Sequence, residues 1–153
     1  MTLPRLPAAG DLAADFLPHA APFLLLDRIL AIDGATGRFS KCVASDDPLV
    51  GPAGVLSPIL VVEAMAQGAG IVLTGQAPEL RARGSAVLAA IDHCEVTGSV
   101  RTGDLLEVEI TVVRRYSDMA RIRGRAFVGD RTCVSAALTL AFAPDPAAGG
   151  GRR

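Results

Sequence analysis

The most uniform stretch of the chain is SPILVVEAMAQGAGIVLTG (57–75), where apolar residues from Ile59 to Leu73 cover every face of a helix rather than one stripe. A helix apolar all round is normally buried all round. Ser57 is a good N-cap and Pro58 suits the first helical position, while Gly75 and Pro78 end the pattern. Before it, FLLLDRILAI (23–32) reads as an apolar strand closed by the turn residues DGATG (33–37), and RFSKCVAS (38–45) alternates like a returning strand. DDPLVGPAG (46–54) is a Pro- and Gly-rich loop. After the helix a polar loop (76–85) leads to strand patterns at 86–96, 104–115, 118–128 and 132–143. EVEITV and RIRGRAFV alternate strictly, which gives those strands one wet face, and TGD and VGDR supply turns between strands. The N-terminal stretch up to Pro18 is irregular, with one helical turn expected around 11–16.

The predicted order is strand, strand, helix, then four strands in a meander. An antiparallel sheet wrapped round one central helix, an α+β fold, is the simplest way to bury that helix. The 153 residues suit one domain, set here at 1–143, and PDPAAGGGRR (144–153) reads as a disordered low-complexity tail. Half the residues are hydrophobic, 20% are charged and the net charge is −1, so no basic field points to nucleic acid or a membrane surface. The helix is only marginally of membrane-spanning length and carries Glu63 and Gln67, so a buried core helix is expected and no membrane span. Nothing at the start resembles a signal peptide, and the expected location is the cytoplasm. Cys42, Cys94 and Cys133 are far apart and join no His cluster, so neither a metal site nor a disulfide framework is expected. No cofactor is expected.

Glu63 is the anomaly, because a carboxylate in a buried helix is costly unless it is hydrogen-bonded, neutralised or turned to a site. Several motifs give it a context. LPHAAPFLLLDRIL (17–30), LVVEAMAQGAGI (60–71), AAIDHCEV (89–96) and VRTGDLLEVEI (100–110) resemble, in order and spacing, the bacterial FabZ-type (3R)-hydroxyacyl-ACP dehydratases. The likeness runs from about Leu17 to Phe142. It implies a hotdog fold, a dimer with its tunnel at the subunit interface, and an acyl thioester carried on an acyl carrier protein or on coenzyme A. In that family a histidine in a His-Phe-Pro-Gly loop works with a glutamate of the partner's helix, and Glu63 occupies the glutamate position. This chain departs from the pattern where the histidine should be: DDPLVGPAGVLSP (46–58) is shorter and contains none.

Dehydration of a 3-hydroxyacyl thioester needs a base for the C2 proton and an acid for the departing hydroxyl. Glu63 is the candidate for one task. Gln67, one helical turn on, either orients Glu63 or hydrogen-bonds the substrate, or else ties the helix to a loop. His93 stands where the family has Asn or Lys and is the candidate replacement for the lost histidine; strand alternation turns either it or Asp92 inward. His19, in the opening motif, is read as a structural, hydrogen-bonded residue. Asp46 and Asp47 read as a turn. Arg114, Arg115, Arg121, Arg123 and Arg125 form either a carrier-docking patch or a solvated face, and Thr97-Gly98-Ser99 replaces the family's basic residues near its third strand. Three functions follow: a dehydratase with a rearranged site, a partner subunit in a homodimer or heterodimer with a related dehydratase, or a hotdog thioesterase with Glu63 as base or nucleophile and Gln67 and the helix N-terminus polarising the thioester carbonyl.

Overall fold

The computed structural model describes residues 5–143; the expected tail, 144–153, lies outside the described residues. A 3₁₀ turn at Ala13–Phe16 precedes strands β1 (Arg28–Asp33) and β2 (Thr36–Cys42), a two-residue strand β3 (Val55–Leu56) and helix α1 (Pro58–Gln76). A second 3₁₀ segment, Pro78–Arg83, leads into β4 (Ser85–Val96), then β5 (Val100–Arg101), β6 (Leu105–Arg115), β7 (Met119–Val128) and β8 (Arg131–Ala143).

Six strands form one antiparallel sheet in the order β1-β2-β6-β7-β8-β4, and β3 and β5 pair separately. The strand positions agree with the sequence pattern, but their order corrects it. Only β6, β7 and β8 form a meander; β4 crosses to the far side and pairs with β8 from Ser85↔Ala143 to Val96↔Val134. Alternation along a strand fixes which side chains face inward, and it carries no information on which neighbour a strand will choose.

The core lies between α1 and the inner face of this sheet, with Val108, Ile110, Ile122, Leu138 and Leu140 all nearly or fully buried. The helix comes close because small residues face it. A Cβ on Gly68 would meet the Phe39 ring at 2.8 Å, and one on Gly124 would meet the Met65 sulfur at 2.6 Å. Phe39 is fully buried, so its ring fills the space that the missing methyl leaves.

Two local expectations are corrected. The segment 23–27 is not a strand: Leu25 and Leu26 are fully buried, but the Leu25 N–H donates to the Gln67 side chain rather than to a sheet neighbour. Ser57 sits at the N-cap position without a side-chain cap; its carbonyl accepts from Leu60 and Val61 instead.

Candidate active site

Helix α1 is not buried on every side. Glu63, Gly70 and Thr74 are only partly covered, and their spacing of seven and four residues puts them on one face. The sheet wraps the other faces, and this one lines an open cavity of about 580 Å³. The opposite walls are the segment 15–19, Arg81 and Arg83 of the second 3₁₀ segment, the start of β4 and Phe142 of β8.

Glu63 points into that cavity with about a third of its side chain exposed (34%). Its Oε1 lies 3.4 Å from Gln67 Nε2 and 3.7 Å from His19 Nε2. Gln67 is buried and bonded at both ends: its Nε2 donates to the Phe23 carbonyl at 2.7 Å and its Oε1 accepts from the Leu25 N–H at 3.0 Å. The expected tie between the helix and a loop is therefore present, and the contact to Glu63 is the longer one. That clamp holds the chain just past His19 against the helix.

The hydrogen bond expected of His19 is not among those the structure shows. The residue makes no direct hydrogen bond among the described residues, and its Nδ1 is buried without a partner. Its proximity to Glu63 escaped the sequence reading because 44 residues separate them; the opening motif itself was the available signal.

The other candidates lie elsewhere. His93 is exposed on β4, opposite Ala137, and does not line the cavity. A register shift between Ile91 and His93 leaves Asp92 as an extra residue, and Asp92 accepts a hydrogen bond from Thr139 at 2.8 Å. Asp47 forms an ion pair with Lys41, and Leu49 N–H caps its carboxylate at 2.9 Å. Of the arginine group, Arg125 reaches Glu109 at 3.6 Å, Arg115 reaches Glu79 at 3.9 Å, and Arg114 lies over Tyr116. None of that group borders the cavity; the basic residues that do are Arg81 and Arg83, which the sequence reading left in a polar loop. Among the described residues no group of three or more His, Cys, Asp or Glu side chains could hold a metal ion.

A family model described as ApeP-like, ApeP dehydratase, matches residues 12–149. The chain belongs to the ApeP-like dehydratase family. Among individual proteins, it is 33% identical over 131 residues to the 3-hydroxyacyl-[acyl-carrier-protein] dehydratase FabZ of Alkaliphilus metalliredigens, covering 82% of this chain and 88% of that one. Its fold matches a chain of the dehydratase heterocomplex ApeI:P from Xenorhabdus doucetiae with a TM-score of 0.77, at 18% identity and over 90% and 93% of the two chains. It also matches a hypothetical thioesterase from Streptococcus pneumoniae with coenzyme A, with a TM-score of 0.61 at 11% identity over 76% and 85%. The fold is therefore the hotdog, as expected, and the chain is dehydratase-like. Within the ApeP-like family its loop 46–54 remains without a histidine.

Proposed function

We propose that this ApeP-like chain binds 3-hydroxyacyl thioesters in the cavity beside α1 and takes part in removing water from them. The observation that carries the reading is Glu63, a carboxylate set into an otherwise apolar helix and turned into that cavity. Hydrocarbon would lie along Phe16, Ala66, Leu88 and Phe142, with the thioester and hydroxyl near Glu63. A carrier arm or coenzyme A would enter where Arg81 and Arg83 stand, since guanidinium groups suit phosphate.

The working unit is a dimer. Among the described residues strand β4 has β8 on one side only and leaves Val87, Ile91 and Val96 about half exposed. An open apolar edge invites a second strand. A partner that differs from this chain is the arrangement named for the heterocomplex that shares its fold.

The test is to incubate the purified chain with a 3-hydroxyacyl carrier-protein thioester and follow the acyl mass, alone and with a histidine-bearing homologue. Loss of one water supports the reading, whether in the chain alone or as a gain over the homologue by itself. Loss of the whole acyl group would make the protein a thioesterase. No change in either sample would refute both.

A further inference from the structure

The cavity holds five ionisable side chains: Asp15, His19, Glu63, Arg81 and Arg83. Three of them have protein partners other than each other and stand away from the His19–Glu63 pair. Asp15 lies within 3.8 Å of Arg5, Arg81 stacks over Phe16, and Arg83 donates to the Ser117 carbonyl. His19 and Glu63 remain, facing each other across 3.7 Å. That gap is too long for a direct hydrogen bond, yet one substrate atom between the two groups can be in reach of both. Each keeps about a third of its side chain exposed, which a bound substrate could cover. The unpartnered Nδ1 means that the ring is not committed to the protein on its other side.

We propose that His19 is the histidine of this site, acting in the same chain as Glu63 in place of the one that loop 46–54 lacks. The inference rests on the dehydratase reading. A neutral imidazole and a carboxylic acid suffice for the step. The base takes the C2 proton, the C–H electron pair becomes the C2=C3 bond, and the C3–O bond breaks. The acid delivers its proton to the departing hydroxyl, which leaves as water. Imidazolium and carboxylate are left facing each other, and a proton passing across the gap restores the starting pair. No further reactant is required.

The test compares wild type with His19→Gln, His19→Ala and Glu63→Gln, using the acyl-mass assay and thermal melting. If the inference holds, His19→Gln loses about 10²- to 10⁴-fold in kcat with KM little changed and melting retained. Added imidazole then restores part of the His19→Ala rate and none of the Glu63→Gln rate. An active His19→Gln beside an inactive Glu63→Gln would overturn the role of His19 alone, and so would activity that depends on His93 instead. A His19→Gln that melts well below wild type, with no rescue by imidazole, would make His19 structural. If wild type turns over only with a histidine-bearing homologue, the same variants are measured in that complex, and indifference to His19→Gln there overturns the assignment. A wild type inert in both settings refutes the dehydratase reading itself.

Discussion

Lys41 Nζ lies 2.8 Å from Asp47 Oδ2, and both side chains are nearly buried, at 7% and 11% exposure. Lys41 is the only lysine of the chain, and its partner sits in loop 46–54, which contains no histidine. The pair fastens that loop to β2. Asp47 adds a bond from Leu49 N–H and its carbonyl accepts from Val50 N–H, so one residue organises the turn. Removing one member of a buried pair leaves the other charge uncompensated, at a cost of about 3–5 kcal/mol. Lys41→Ala is expected to lose stability of that order in urea unfolding. The double variant Lys41→Met/Asp47→Leu should recover a good part of it, and equal loss in both would show that the charge pairing is not what Lys41 supplies.

The same pair sets an acid limit. Burial pushes the Asp47 carboxyl up, but the Lys41 hydrogen bond, the Leu49 N–H and the Lys41 charge outweigh it and hold it below its ordinary value of 3.8. A carboxyl depressed in the folded state contributes stability that is complete above its unfolded value and is lost as pH falls through the folded one. The stability gap between wild type and Asp47→Asn should therefore be constant near neutrality and shrink as pH is lowered from about 5 toward about 3. Denaturant midpoints taken along that series check it, and a gap that widens with acid contradicts the assignment.

Gly68 is required by packing. A methyl there would come within 2.8 Å of Phe39 Cε2 and 3.2 Å of Ile110 Cγ1, and both side chains are fully buried. Overpacking of this kind typically costs about 1–3 kcal/mol. Gly68→Ala should lower stability by that amount, although alanine is the better helix former. A stabilised Gly68→Ala would mean that the helix can lift from β2 freely.

Which parts of this molecule were legible in its sequence follows from range. Helix α1 and β6 to β8 were readable because periodicity is a local property, and Glu63 stood out by polarity alone. The pairing of β4 with β8 and the approach of His19 to Glu63 depend on contacts 38 or more residues apart, for which no local pattern exists. The open stripe on α1 was hidden for another reason. Gly70 and Ala66 line a cavity as readily as a core, so composition cannot separate the two. Leu25 and Leu26 looked like strand residues because they are buried and apolar, but a side-chain amide takes the backbone bond that a strand would have used.

That amide gives the fourth prediction. Gln67→Met keeps the bulk but leaves the Leu25 N–H and the Phe23 carbonyl without their partners. Each unsatisfied group costs about 1–3 kcal/mol. Stability should fall by about 2 kcal/mol or more, with hydrogen exchange rising at Leu25 before the rest of the core. Turnover should fall too, because the clamp holds the segment that carries His19. Exchange at Leu25 as slow as in wild type would mean that the clamp is dispensable.

The last prediction concerns the open edge of the sheet. Ile91 on β4 is 42% exposed and has no strand beyond it among the described residues. Covering an isoleucine contributes about 1.5–3 kcal/mol, and each 1.4 kcal/mol is about tenfold in a dissociation constant. With less than half of the side chain left to cover, Ile91→Glu should therefore weaken subunit association by about tenfold, and its effect on association should exceed its effect on monomer unfolding. Sedimentation velocity across a concentration series separates the two effects. If association through β4 also completes the site, activity should fall with dilution in Ile91→Glu at concentrations where wild type holds constant. A variant that stays dimeric would place the subunit contact on another surface.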